Sequence, residues 1–169
     1  MEKNNSKLGD VKHRLSKNSK VQLISAVVVL FFDQLTKFSV IAWIPFGYSI
    51  EMLPILSFVF VLNDGISFSL LSGVSRLVLI PLSLAIITFI IWLAQKNSTS
   101  NASAIGYGFI IGGAIGNVFD RSLHGAVIDF ILFHYSGWSF PIFNVADTGI
   151  SCGVAILLID SFFSSKMKK

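Results

Sequence analysis

Four stretches of this chain, at about residues 21–44, 74–94, 104–121 and 145–163, are apolar and long enough to cross a bilayer as helices. A hydrocarbon core about 30 Å thick takes roughly 20 helical residues, and backbone inside it must satisfy its own hydrogen bonds. These runs therefore restrict the chain to a helical membrane bundle. The third run reaches full length only if its helix continues past Asp120 and Arg121, which puts that end close to the interface. Charge content agrees: of 169 residues 53% are hydrophobic and 13% charged, with a mean hydropathy of +0.74. A soluble domain carries about twice that share of charge. The single cysteine, Cys152, excludes an internal disulfide framework and any zinc site built on several cysteines.

The net charge of +4 is concentrated at the two ends, in Lys3, Lys7, Lys12, Arg14, Lys17 and Lys20 and in Lys166, Lys168 and Lys169. Beside apolar spans, basic tails mark the cytoplasmic side and touch anionic phospholipid, in preference to nucleic acid. An even number of spans puts residues 1–20, the C-terminus and the short loop 95–103 with Lys96 on that face. Segments 45–73 and 122–144 then face outward. Both are rich in aromatic and β-branched residues, with turn signals at Asn63-Asp64-Gly65 and Ser136-Gly137, and read as short strands or hairpins. Trp43, Tyr135 and Trp138 suit an interfacial belt. The expected fold is one domain: an all-α bundle of four transmembrane helices with a small extracytoplasmic β-sheet and loop subdomain. The run 21–32 after a polar head resembles a signal peptide, but no small-residue cleavage site follows and Asp33, Gln34 and Lys37 come next.

Ionisable groups in a membrane segment are costly, so each demands a reason. Asp33 and Lys37, four residues apart, share one helix face and read as an ion pair or as direct substrate contacts. Asn117, Asp120 and Arg121 form one polar stripe, with Asp120 expected to be neutralised by Arg121. The glycines of Gly112 to Gly116 let another helix approach closely, which brings Asn117 toward Asn144. Asp129 and Asp147 have no basic neighbour in sequence. Asn144 can cap the fourth helix, whose dipole favours Asp147, and that capping competes with a catalytic role. Two carboxylates drawn together hold one proton between them, the state that acid–base hydrolysis of a peptide bond requires. That chemistry takes no metal and no cofactor. His124 and His134 with Asp129 make a weaker metal set, without a recognised spacing. Cys152 lies off the helical face of Asp147 and lacks a base.

With these residues in view, the chain resembles the lipoprotein signal peptidases, or signal peptidase II, a family of bacterial intramembrane aspartyl proteases. The similarity rests on DQLTK (Asp33 to Lys37), NDGISF (Asn63 to Phe68), GGAIGNVFDR (Gly112 to Arg121), VIDF (Val127 to Phe130) and FPIFNVAD (Phe140 to Asp147), in that order. The resemblance implies cleavage of diacylglyceryl-modified prolipoproteins just before the lipidated cysteine, at the outer face of the bacterial cytoplasmic membrane. It implies Asp129 and Asp147 as catalytic residues and Asn117, Arg121 and Asn144 as contacts to the substrate backbone. Asp33, Lys37, Asn63 and Asp120 are implied to shape the site, and globomycin-type peptides to inhibit it. Ser67 departs from the family's usual alanine. Nothing in the sequence demands more than a monomer.

A different class, a small proton- or ion-coupled transporter, would use intramembrane acids as relay sites. It would place them near the midplane, commonly within repeated broken spans, whereas these cluster toward one face and no internal repeat is found. A non-catalytic scaffold would use the same groups only to join helices.

Overall fold

The structure is a computed structural model and describes residues 2–65 and 74–166, with side chains over 17–65 and 74–163. Ser67 and the side chains of residues 1–16 lie outside the described residues.

Helix α1 spans Glu2–Trp43 and is apolar enough to cross a membrane over Lys17–Trp43. It is followed by strands β1 (Ser49–Leu53) and β2 (Leu56–Asn63) and by helices α2 (Arg76–Asn97) and α3 (Asn101–His124). Strands β3 (Val127–Tyr135) and β4 (Trp138–Ser139) precede helix α4 (Val145–Lys166). The helix starts are local. Ser75 Oγ accepts the Leu77 N–H at the head of α2, and Ser100 and Ser103 form a reciprocal capping box at the head of α3. Helix α3 does run past Asp120 and Arg121, and Gly125 stops it in the left-handed region at φ 82°.

Helix α3 is the centre of the bundle, packed against α1, α2 and α4. Its apolar window is 56% buried, against 17–28% for the other three. Small residues make this possible. A Cβ on Gly112 would collide with the carbonyl of Ala26 in α1, and one on Gly113 with the carbonyl of Ala146 in α4. The far faces of the outer helices leave Leu23, Phe38, Leu77, Phe89, Leu158 and Phe162 exposed, as lipid contact requires.

At one end of the bundle the four strands form an antiparallel sheet in the order β1-β2-β3-β4. Ser136 (φ 47°) and Gly137 (φ 82°) close the β3–β4 hairpin with two positive-φ residues, the geometry that matches strand twist. In the β2–β3 ladder Val61 faces Asp129 and Asn63 faces Val127. Asn63 and Asp129 are therefore diagonal neighbours on one face. Phe143 clips onto β3 through its bonds with Phe130 and Ile131, which delivers Asn144 and the start of α4 to the same place.

Candidate active site

A buried ion cluster forms the floor of the site. Lys37 Nζ lies 2.8 Å from Asp33 Oδ2 and 2.7 Å from Asp120 Oδ2, and all three side chains are essentially out of solvent. The expected pair of Asp33 and Lys37 is present. The expected pairing of Asp120 with Arg121 is corrected, because adjacent residues on a helix do not face each other. Asp120 turns to α1, while Arg121 turns to a cavity. Two carboxylates against one ammonium leave excess negative charge, which N–H donors offset. Gln34 Nε2 donates to Asp33 Oδ2 (3.0 Å) and Asp120 Oδ1 (3.1 Å). The Ala146 backbone N–H donates to Asp33 Oδ1 (2.8 Å), and the Ile128 N–H to Asp120 Oδ2 (3.1 Å). The last two bonds hold α4 and β3 against α1 and α3.

Above the cluster, three asparagines present their amide groups to Asp129 and Asp147 in fixed orientations. Lys37 donates to Asn117 Oδ1 at 3.2 Å, so the Asn117 NH2 faces Asp147 Oδ1 at 2.9 Å. Asn144 Oδ1 accepts the Asp147 backbone N–H (2.9 Å), so its NH2 faces Asp129 Oδ1 (2.6 Å). Asn63 Oδ1 accepts the Gly65 N–H (2.9 Å), so its NH2 faces Asp129 Oδ2 (2.8 Å). Each orientation follows from an ammonium or backbone N–H, groups that only donate. Asn144 thus caps α4 and touches Asp129 with the same amide.

Burial pushes the Asp129 carboxyl up from its ordinary 3.8 to about 6. The donors Asn63 and Asn144 and the Lys37 charge oppose the rise, and the neighbouring Asp147 adds to it. Both acids line a cavity of about 430 Å³, together with Asn63, Asn117 and Arg121. Leu82 and Ile86 of α2, Phe140 and Ile150 supply apolar wall. Asn144 is fully buried behind the carboxylates and is not among the cavity residues. Arg121 donates from Nη2 to Gly65 O at 2.6 Å, and its buried Nε has no partner among the described residues.

Gln34 escaped the sequence reading, although a glutamine beside Asp33 in an apolar span was a signal. Cys152, expected off the face of Asp147, lines the same cavity. His134 Nε2 sits 2.8 Å from Ser57 Oγ in the sheet and His124 is exposed. No three His, Cys, Asp or Glu side chains gather as a metal site among the described residues.

A four-span bundle that sets a buried and a half-buried carboxylate in the wall of one amphipathic cavity matches, in fold, solved bacterial membrane enzymes. The family model described as signal peptidase (SPase) II matches residues 25–163. The lipoprotein signal peptidase of Sinorhizobium fredii is 38% identical over 141 residues, covering 83% of this chain and 85% of that one. The lipoprotein signal peptidase of Polynucleobacter necessarius is 39% identical over 139 residues, covering 80% and 85%. A solved bacterial membrane enzyme superposes with a TM-score of 0.79 at 30% identity, over 88% of this chain and 91% of that one. The chain belongs to the signal peptidase II family of lipoprotein signal peptidases. The transporter alternative finds no support in these comparisons.

Proposed function

We propose that this protein is an intramembrane aspartic endopeptidase. It removes signal peptides from diacylglyceryl-modified prolipoproteins by cutting before the lipidated cysteine, with Asp129 and Asp147 as its catalytic pair. One observation carries the reading: a single amide, Asn144, bonds the side chain of Asp129 and the backbone of Asp147, at the edge of a cavity both acids line. Asp147 adds to the rise in the proton affinity of Asp129, as expected of two acids that hold one proton between them. The ionised acid takes a proton from water as the water attacks the peptide carbonyl, and the protonated acid gives its proton to the developing oxyanion. As the tetrahedral intermediate collapses, the acid that took the water's proton passes it to the leaving amine and the other regains its own from the new carbonyl.

Asn117 and Arg121 contact the substrate backbone from the cavity wall, and Asn144 acts from behind the pair. The substrate's acyl chains stay in lipid and supply binding energy that the polar pocket does not have to provide. The enzyme acts as a monomer in the bacterial cytoplasmic membrane, with both termini cytoplasmic and the sheet end outward, as the basic tails favour. Globomycin-type peptides compete for the cavity.

The test is cleavage of a diacylglyceryl-modified precursor by purified wild type, Asp129→Asn and Asp147→Asn. Both variants should be inserted, folded and inactive, and full cleavage by either sinks the pair. EDTA should leave wild-type activity intact, whereas a loss that zinc restores would overturn the metal-free scheme.

A further inference from the structure

The turn 63–65 is clamped between the two sides of the site. Asn63 donates to Asp129 Oδ2 at 2.8 Å, and Gly65 O accepts from Arg121 Nη2 at 2.6 Å in a buried contact. Within the turn the Gly65 N–H donates to Asn63 Oδ1 at 2.9 Å. That internal bond dictates which end of the Asn63 amide points at Asp129, because a backbone N–H accepts nothing. We infer that Asn63 is a positioning residue that makes the proton affinity of Asp129 depend on the seating of this turn, a role that rests on reading Asp129 as half of the catalytic pair.

When the turn is seated, Asp129 has amide donors on both oxygens, Asn144 on Oδ1 and Asn63 on Oδ2. When Gly65 leaves, the Asn63 side chain loses the bond at Oδ1 that fixes it over Asp129 Oδ2, and among the described residues Asn144 is the amide donor to Asp129 that stays anchored at both ends. A carboxylate that loses a donor binds its proton more tightly. The charged groups that face Asp129 are Lys37 from α1, Arg121 from α3 and Asp147 from α4. Asp64, in the turn itself, is exposed, and α2 lines the cavity with Leu82, Ser83 and Ile86, none of them titratable. Of these facing charges Arg121 bonds the turn, at Gly65 O. The Asn63 amide is the direct contact between the turn and the carboxylate.

The experiment is the pH dependence of kcat/KM for prolipoprotein cleavage by the full-length enzyme, for wild type, Asn63→Ser, Gly65→Pro and the double variant. The serine hydroxyl still accepts the Gly65 N–H but is too short to reach Asp129, whereas proline removes the N–H and leaves Asn63 intact. Each single variant should move the profile to higher pH by roughly half to one unit, the effect of one amide donor on a carboxylate. The double variant should move it no further. A profile that stays in place while the rate falls, or two shifts that add, overturns the inference. Asn63→Asp is the safeguard against poor folding, since it retains an acceptor for Gly65 and turns a carboxylate toward Asp129. Its profile should move further than that of Asn63→Ser, and an unmoved profile again overturns the inference. Cleavage by Asp129→Asn would sink the catalytic pair itself, whereas an inactive Asp129→Asn with unmoved profiles sinks only the coupling.

Discussion

Asn144 Nδ2 lies 2.6 Å from Asp129 Oδ1, in a bond whose direction is set by the Asp147 backbone N–H held at the other end of the same amide. With Asn63 on the second oxygen, each Asp129 oxygen faces an amide donor held in a fixed direction.

The two aspartates should therefore tolerate asparagine differently. In Asp129→Asn the new NH2 must face an existing NH2, which costs about 1–3 kcal/mol for a buried donor left without an acceptor. Among the described residues Asp147 accepts a side-chain amide on Oδ1 alone, from Asn117, so the new NH2 can take the Oδ2 side. Thermal unfolding in detergent should show Asp129→Asn melting clearly below wild type and Asp147→Asn close to it. Equal melting temperatures for the two would contradict the fixed amide orientations.

Stability should also carry a pH signature of Asp129. Its folded pKa of about 6 lies above the ordinary 3.8, so the folded state binds a proton that the unfolded chain has released. The resulting stabilisation is fully present below the unfolded value of 3.8 and is lost as pH rises through about 6. The unfolding free energy measured between these limits should fall as pH rises in wild type, and Asp129→Asn should lack that component of the slope.

Removing the ammonium from the buried cluster should be severe. Lys37→Met strands Asp33 and Asp120 without a cation, and breaking a buried pair costs about 3–5 kcal/mol. Adding Asp120→Asn should recover part of that loss, because only one of the two stranded charges then remains. Unfolding of the single and double variants measures both, and an additive double loss would contradict the cluster.

Close packing of α3 on α4 should matter for rate as much as for stability. Gly113→Ala drives a methyl into the Ala146 carbonyl, in the first turn of the helix that carries Asp147. A displacement of about 1 Å at reacting groups lowers rate on the order of 100-fold. Gly137→Ala meets nothing within 4 Å and strains only a hairpin at φ +82°. Cleavage assays should separate the two, with Gly113→Ala strongly impaired and Gly137→Ala near wild type.

Much of the architecture was legible because it follows from local rules. Hydrocarbon admits only self-satisfied backbone, so four apolar runs imply four spanning helices. Ser136-Gly137 announced its hairpin through its need for positive φ. Asp33 and Lys37 announced their pairing through helical spacing. The partner of Asp120 was not legible, because its neighbour Arg121 was close in sequence but pointed elsewhere. Lys37, 83 residues upstream, was the partner that α1–α3 packing delivered. Gln34 was passed over for a related reason: its two acceptors come together only when those helices meet.

The sequence by itself determined the solvent this chain folds in, the number of its spans and the set of polar residues that needed a reason to be there. Those are consequences of composition and period, which act one segment at a time. Only the tertiary structure decided how the polar residues pair. The direction of each amide depends on donors from other elements: Lys37 from α1, the Gly65 N–H from the turn and the Asp147 N–H from α4. Hydrogen bonds are directional and short, so a pattern of residue types cannot rank them until packing brings donor and acceptor within about 3 Å.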